Sequence, residues 1–343
     1  MTDAFALPWA PRGLDLPAAF EPPATSLRPT GADDPRLARL LGAHVSPDRW
    51  PAVAILGFPS DDGVARNGGR VGASAGPDVI REALYRMTPD RDARFCPLLA
   101  RTTDFGNLAW PGTLEDAQEA LGRVVAACLA RETIPVILGG GHETAFGHFL
   151  GYARSARPVH ILNWDAHPDV RPLIDGRGHS GSPFRQALDH PSRVCRSYRV
   201  AGLQPHATAS AHLEYLSTVE MTGMPGESDV LSGPRFWWRH ELSREVVEPI
   251  TEAVGGPLMV SFDIDAVDQA FAPGVSAPAT NGLTPDLWLH AAYAAGASPQ
   301  VSSCDLVELN PRLDRDGQTA RLAALTIWTF LKGIASRKTP SAT

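Results

Sequence analysis

Apolar runs about as long as a β-strand alternate along this chain with segments whose apolar positions recur at helical spacing. The run 53–59 (VAILGFP) has strand length and ends in glycine and proline. Residues 76–87 (GPDVIREALYRM) then begin with a Gly-Pro start signal and continue with apolar positions three and four apart. Because continuously apolar strands alternate with such helices, the pattern predicts a parallel sheet covered by helices on both faces.

The same alternation continues to the end of the chain. Further strands are predicted at 133–141, 159–167, 197–204, 257–265 and 301–311, and further helices at 114–132, 243–255, 285–297 and 319–335. Residues 1–50 are rich in proline and weakly periodic. We interpret them as an arm, with one short helix near Pro35–Leu41, that wraps the body or a neighbouring subunit. Residues 51–343 contain no repeat or linker and are predicted to form one domain.

Acidic and imidazole side chains stand where four of the predicted strands end. They are His142 in GGGHE, Asp165, His167 and Asp169 in DAHPD, Asp263 and Asp265 in DIDAVD, and Glu308 in VELNP. Ligands of open parallel sheets bind at the carboxyl ends of the strands. Residues two apart face the same side of an extended chain, so the D-x-H-x-D and D-x-D spacings aim each group at one point.

This convergence predicts a metal site. Clustered carboxylates repel one another, and two divalent cations would cancel four of them. An oxygen-rich site with a few imidazoles suits manganese better than zinc, and a pair of ions makes a hydroxide nucleophile available at neutral pH. A single HxD or DxD is usually surface or turn chemistry, and GGGHE alone is compatible with a tight strand-to-helix turn. The prediction therefore depends on several motifs meeting at one edge.

Composition narrows the range of partners. The 343 residues carry a formal net charge of −7, which argues against nucleic acid or an anionic membrane as a partner. The four cysteines are far apart and lack CxxC spacing, which is typical of reduced thiols inside a cell. The sequence starts without a secretory signal pattern, and no apolar run approaches the roughly 20 residues that span a bilayer. We expect a soluble, cytoplasmic protein that acts on a small molecule.

The four blocks LGGGHE, NWDAHPDV, SFDIDAVD with GLTP following, and VELNP resemble the signature blocks of the ureohydrolase (arginase/agmatinase) superfamily, most closely its formimidoylglutamase branch. The resemblance runs from about Val53 to Ile334. It implies an α/β fold, a three-layer αβα sandwich around a parallel sheet of about eight strands. It also implies two manganese(II) ions per subunit and a homo-oligomer, since trimers and hexamers are common in this family.

The resemblance also implies a role for each polar residue. One metal ion would be held by His142, Asp165, Asp169 and Asp263. The other would be held by Asp165, His167, Asp263 and Asp265, so that Asp165 and Asp263 bridge the two ions. Asp169 would also hydrogen-bond the bridging hydroxide and relay its proton to the leaving nitrogen. Glu308 would receive the cationic amidine or guanidine end of the substrate, because a carboxylate accepts two parallel N–H bonds from a planar amidinium.

The segment 57–84, with Arg66, Asn67 and Arg70, resembles the formimidoylglutamase branch, and Arg171 lies two residues beyond a metal ligand. A substrate with two carboxylates requires guanidinium groups, so the three arginines are candidates to bind it. For Arg66 and Arg70 the alternative is a loop salt bridge or an interface contact.

The expected reaction is hydrolysis of N-formimidoyl-L-glutamate to L-glutamate and formamide, in histidine degradation. The alternative is a guanidino substrate (arginine, agmatine or guanidinobutyrate) that releases urea. A third reading, a non-enzymatic relative, conflicts with the complete set of metal ligands.

One position departs from the family pattern. Arginase and agmatinase carry a catalytic histidine in the loop after D-x-H-x-D, and the matching position here is Ser180, with His179 beside it. Either His179 moves protons from one position away, or the chain lacks that proton shuttle. Ser180 and Asn67 are expected, like the three arginines, to contact the substrate.

Overall fold

The apolar runs form a nine-stranded sheet within the part of the chain that the computed structural model describes, residues 14, 16–22, 33–42, 50–219, 234–251 and 256–337. The strands are β1 (Ala19–Glu21), β2 (Val53–Phe58), β3 (Thr102–Ala109), β4 (Ile134–Gly139), β5 (Val159–Trp164), β6 (Cys195–Leu203), β7 (Arg235–Trp238), β8 (Leu258–Asp263) and β9 (Val301–Val307). Their order across the sheet is β1-β3-β2-β4-β9-β8-β5-β6-β7. Strands β2 to β9 are parallel, which confirms the predicted sheet, and β1 adds an antiparallel edge.

Eleven α-helices occur among the described residues. They are α1 (Leu37–Leu40), α2 (Asp62–Arg66), α3 (Gly76–Tyr85), α4 (Phe95–Ala100), α5 (Leu114–Leu129), α6 (Thr144–Arg154), α7 (Pro183–Leu188), α8 (Ser210–Thr218), α9 (Arg244–Thr251), α10 (Pro285–Ala297) and α11 (Gln318–Ser336). Local sequence explains several starts: Thr113 and Asp116 form a capping box before α5, and Thr284 caps α10 ahead of Pro285. No helix in the described ranges combines the length and apolar character needed to cross a membrane.

The sheet separates two apolar cores. Ile55 of β2 packs in a core with α3, α10 and α11, whereas the next residue, Leu56, packs on the opposite face with α5 and α6. Successive residues of a strand point to opposite faces, and both of these side chains are fully buried. Burying one such side chain contributes roughly 1.5–3 kcal/mol to the free energy of folding. Because helices cover both faces of the sheet, apolar residues are favoured at every position of the strand, and its sequence is continuously apolar.

Several elements have no predicted counterpart, namely β1, β3, β7, α2, α4, α6, α7 and α8. Strand β3 lacks a continuous apolar pattern because two of its polar residues, Asp104 and Asn107, bond a buried partner from α3. The fully buried Arg81 donates from Nε to Asp104 Oδ2 at 2.8 Å and from Nη1 to Asn107 Oδ1 at 2.5 Å. The predicted helix 243–255 begins as α9, and residues 252–255 lie outside the described part of the chain.

Part of the predicted arm contacts the body. Strand β1 pairs with β3, and the buried Leu37 of α1 matches the short helix expected near Pro35–Leu41. Gly106 of β3 has a φ of 86°, and a Cβ there would collide with the backbone of Glu21, so the pairing needs glycine at this point. The remainder of the arm, residues 1–13, 15, 23–32 and 43–49, falls outside the described residues.

Helices α10 and α11 approach closely because each carries a glycine at their crossing. A Cβ on Gly296 would collide with the carbonyl of Phe330, and a Cβ on Gly333 would lie 2.5 Å from the carbonyl oxygen of Tyr293. We expect Gly296→Ala and Gly333→Ala each to lower the midpoint of thermal unfolding, because overpacking of about 1–3 kcal/mol outweighs the gain of about 1 kcal/mol in helix propensity. At Gly256 an added Cβ would meet only His160 atoms, at 3.5 Å, so Gly256→Ala is the control. Midpoints at or above that of the unsubstituted protein would contradict this packing.

Candidate metal and substrate site

Four neighbouring strands in the middle of the sheet deliver polar residues to one edge. The strands are adjacent in the order β4, β9, β8 and β5. His142 follows β4 and Glu308 follows β9, while Asp263 ends β8 and Asp165 follows β5. Since carboxyl ends of neighbouring parallel strands meet, segments far apart in sequence supply one compact site.

The first cluster surrounds the ring of His142. Its Nδ1 lies 2.9 Å from Asp169 Oδ2, 2.9 Å from Asp263 Oδ2 and 3.3 Å from Asp165 Oδ2. Although these oxygens are close, none is in line for a hydrogen bond, and Nδ1 is a buried atom without a hydrogen-bond partner. One nitrogen and three oxygens therefore converge on a common point, as ligands of a metal ion do.

The second cluster shares one residue with the first. His167 Nδ1 lies 3.3 Å from Asp165 Oδ1 and 3.2 Å from Asp265 Oδ2. Asp165 thus presents one oxygen to each cluster, as expected of a bridging ligand. Asp263 lies in the first cluster, where its Oδ1 accepts the backbone N–H of Asp265 at 2.9 Å, and its bridging role stays a prediction.

Turns, and not extended strands, aim these side chains. Strand β5 ends at Trp164, and Asp265 lies in a short 3₁₀ helix, Ile264–Ala266. Asp165 Oδ1 accepts the backbone N–H of His167 at 2.7 Å, and Asp169 has a φ of 44°, in the left-handed region. The motifs meet as expected. The predicted cause, alternation along an extended strand, was wrong, because bonds from side chains to the backbone curl the chain at these residues.

Charge in these clusters is strongly coupled. Burial, together with the carboxylates of Asp265 and Asp165, raises the pKa of Asp263 well above its usual range, and burial raises the pKa of Asp265 to about 6. Burial lowers the pKa of His142, but the carboxylates of Asp165, Asp169 and Asp263 outweigh it and raise that pKa well above the ordinary value. The cluster therefore favours positive charge at its centre, which protons or divalent cations supply.

The residues fit divalent ions. Two buried atoms of cluster residues, His142 Nδ1 and Asp265 Oδ1, have no hydrogen-bond partner. The donor set contains four carboxylates and two imidazoles, and oxygen-rich sets of this kind suit manganese.

A cavity of about 270 Å³ opens beside the clusters. Its lining combines cluster residues with Glu308 and residues of neighbouring loops: Asn67, Gly68, Gly69, Arg70, His167, Asp169, Arg171, Ser180, Gly181, Asp263, Asp265, Ser276, Ala277 and Glu308. All the predicted site residues except Arg66, His142, Asp165 and His179 therefore line this space. His142 and Asp165 lie in the clusters, out of solvent contact.

Glu308 is a buried carboxylate in the cavity wall. Its Oε1 accepts the backbone N–H of His142 at 2.8 Å, and its own N–H donates to Gly140 at 2.8 Å, with a φ of 68°. Burial and the nearby carboxylates of Glu143 and Asp265 raise its pKa to about 8, although the backbone N–H and the ring of His142 lower it. A cationic ligand in the cavity would hold this carboxylate in its charged form.

The three predicted arginines have different surroundings. Arg171 lines the cavity, and its Nη1 lies 3.3 Å from Asn67 Oδ1. Arg70 also lines it, but its Nε and Nη2 donate to the carbonyl of Ser276 at 2.9 and 2.8 Å. Arg66 is not in the lining, because its guanidinium pairs with both oxygens of Glu115 at 2.5 and 3.0 Å.

His179 and Ser180 also separate in the structure. Ser180 lines the cavity and accepts from Asn67 Nδ2 at 3.1 Å. The buried His179 accepts the backbone N–H of Gly181 at Nδ1, at 3.1 Å, and its Nε2 lies 3.0 Å from the carbonyl of Pro172. Both ring nitrogens are thus occupied within the loop, and a proton-shuttle role for His179 stays a prediction without a contact that supports it.

Sequence reasoning missed buried polar residues behind the clusters. Glu143 is fully buried, accepts the N–H of Gly63 at 2.9 Å, and burial raises its pKa to about 7. Asp305 and His148 are also fully buried and contact each other. The position of Glu143 next to His142 in the sequence could have identified it. Asp305 and His148 could be identified only by knowing which helix packs on β9.

Known proteins resemble this chain over most of its length. A model of the Arginase family matches residues 51–332. The formimidoylglutamase of Rhodococcus jostii strain RHA1 is 38% identical over 284 residues, which cover 80% of this chain and 84% of that protein. That of Geobacillus kaustophilus strain HTA426 is 37% identical over 278 residues, covering 80% and 81%.

Solved structures agree. The crystal structure of Trypanosoma cruzi formiminoglutamase with Mn2+2 superposes with a TM-score of 0.76 at 31% identity, covering 89% of this chain and 100% of that chain. The match to the family model, the identity to these relatives and the shared fold support one conclusion. The chain belongs to the arginase family.

Proposed function

We propose that this protein hydrolyses N-formimidoyl-L-glutamate to L-glutamate and formamide, a step of histidine degradation. The observation that carries the proposal is one cavity in which a buried carboxylate, Glu308, adjoins the His/Asp clusters while Arg171 lines the same space. A ligand with a cationic amidine at one end and carboxylates at the other matches that arrangement of charge. The relatives named formimidoylglutamase agree with it.

Two manganese(II) ions are the proposed cofactors. His142, Asp165, Asp169 and Asp263 would hold one ion, and Asp165, His167, Asp263 and Asp265 the other. When bound, such a pair supplies Lewis acidity and makes water a stronger nucleophile at neutral pH. The side chains of this protein would then bind and orient the substrate and move its protons.

Two carboxylates in the cavity carry out the proposed steps. Glu308 accepts the N–H groups of the amidinium and so sets the direction from which its carbon is attacked. Asp169, in the lining and in the first cluster, takes the proton that the attacking water loses and delivers it to the glutamate nitrogen as the C–N bond breaks.

The far end of the cavity would bind the substrate carboxylates. Arg171 is the proposed principal contact, because Asn67 holds its guanidinium at the cavity wall and Gly181 leaves room for its stem. A Cβ on Gly181 would lie 2.8 Å from Arg171 Cδ. Further polar contacts would come from Ser180, Asn67 and Arg70. Arg66 could bind the substrate only if its guanidinium left Glu115.

A side-by-side assay tests the proposed reaction. Purified protein incubated with Mn²⁺ is given formimidoylglutamate or arginine, and formamide, glutamate and urea are quantified. We expect formamide and glutamate from the first substrate and little urea from the second. Urea formation from arginine at the higher kcat/KM would replace this proposal with a guanidino substrate, which the metal clusters and Glu308 would serve equally well.

Removal of a carboxylate that would bridge the two ions should abolish metal loading and activity together. We expect Asp263→Ala to lose bound manganese, measured by elemental analysis, and at least about a thousandfold in kcat/KM, because the nucleophile and its Lewis acid depend on the ions. Asp286→Ala removes an exposed aspartate paired with Arg244 and is the matched control. Unchanged metal content in Asp263→Ala would refute the ligand assignment.

Loss of Arg171, the proposed principal contact of the substrate carboxylates, should weaken substrate binding more than turnover. We expect Arg171→Met to raise KM for formimidoylglutamate about tenfold or more, because a hydrogen bond to a charged group contributes about 1.5–3 kcal/mol. Arg244→Met removes an exposed guanidinium outside the cavity and serves for comparison. An unaltered KM in Arg171→Met would exclude Arg171 from carboxylate recognition.

A further inference from the structure

A chain of hydrogen bonds runs from the metal-facing histidine into the interior. His142 Nε2 lies 3.0 Å from Ser261 Oγ, Ser261 Oγ donates to Asp305 Oδ1 at 2.5 Å, and Asp305 Oδ2 lies 2.6 Å from His148 Nδ1. Asp305, Ser261 and His148 are fully buried, and His142 is 1% exposed. Three elements, β8, β9 and α6, supply the links behind His142.

The chain continues on the far side of His148. Its Nε2 lies 2.6 Å from Ser303 Oγ, and the hydroxyl of Tyr152 lies 2.6 Å from both Ser303 Oγ and Ser302 Oγ. His148 therefore has a partner at each ring nitrogen. These contacts hold His148, and through it Asp305, at a fixed place between α6 and β9.

The direction of the bonds follows from the carboxylate. Both oxygens of Asp305 accept, one from Ser261 and one from His148. Since Ser261 has one hydroxyl hydrogen and donates it to Asp305, its oxygen must accept from His142 Nε2–H. An imidazole that binds a metal ion is neutral and carries a single N–H, so the bond from Nε2 would leave the Nδ1 lone pair of His142 for an ion in the carboxylate cluster.

We propose that Asp305 is a positioning residue that acts through Ser261 to fix the tautomer and ring orientation of His142 as an Nδ1 metal ligand. The inference rests on the metal centre of the proposed function. It assigns a role to three residues outside that centre, namely Ser261, Asp305 and His148. Groups behind a metal-bound histidine commonly set its tautomer, and their loss lowers metal affinity about 10- to 100-fold.

The two metal clusters differ in this support. His142 belongs only to the first cluster, while the second contains His167, whose side chain is 22% exposed and reaches the cavity. Breaking the chain should therefore weaken one of two manganese ions. A general loosening of the fold would weaken both, which makes the difference between the ions the informative quantity.

The test compares Ser261→Ala with Thr326→Val. Both remove a fully buried hydroxyl, but Thr326 lies on α11 and bonds Trp288 Nε1 at 2.7 Å, outside the site. Manganese binding to each metal-free protein is measured by equilibrium dialysis, with free Mn²⁺ followed by electron paramagnetic resonance. We expect Ser261→Ala to lose about 10- to 100-fold in affinity for one ion and to keep the other, while Thr326→Val keeps both.

A second variant tests whether Asp305 acts through the serine. Asp305→Leu should weaken the same ion, and adding it to Ser261→Ala should cause little further loss, because the serine is already absent. If Asp305→Leu does not fold, as judged by circular dichroism and the thermal midpoint, Ser261→Ala decides alone. Equal loss at both ions, no loss in Ser261→Ala, or fully additive losses in the double variant would overturn the inference.

The unsubstituted protein separates this inference from the proposed function. Binding of no manganese would remove the metal centre and both proposals with it. Binding of two ions together with unchanged variants would overturn only the role of Asp305. Release of urea in place of formamide would change the substrate and leave the role of Asp305 intact, since the dialysis measurement does not use turnover.

Discussion

Mutual repulsion of buried carboxylates is the constraint on which the rest of this structure depends. Asp165, Asp169, Asp263 and Asp265 meet at the edge of a parallel sheet, three of them almost wholly out of solvent contact. An arrangement of this kind persists only with compensating positive charge, because isolated buried charges are strongly disfavoured. The raised pKa values of Asp263, Asp265 and His142 are the expression of that requirement in the protein itself. The proposed metal site and chemistry follow from how the sheet brings these groups together.

The central strands could be predicted because they are buried on both faces and are therefore continuously apolar. Strand β3 could not, since Asp104 and Asn107 interrupt the pattern and are buried only because Arg81 arrives from α3. Helix α6 could not be predicted for the opposite reason. Most of its residues are buried, so it lacks the polar stripe by which surface helices are recognised.

The candidate site shows the same division. Residue type and spacing identified the groups that converge at the strand ends, and the family resemblance agreed with them. Sequence alone left open whether Arg66 binds substrate or forms a salt bridge, because its partner, Glu115, lies 49 residues away on α5. Nor did it show that turns at Asp165 and Asp263, and not strand alternation, aim the ligands. Contacts between distant segments decide such questions, and they have no local signature.

The hydrogen-bonded contacts of α6 have a mechanical consequence. Apolar helices on sheets can slide by small steps at little energetic loss, since their contacts are not directional. Here His148 and Tyr152, one helical turn apart, each bond a specific side chain of β9, so translation or rotation of α6 would break several short bonds at once. Helix α6 begins directly after His142 and Glu143. The loop that carries the histidine is thereby joined to a helix whose register on β9 these bonds fix.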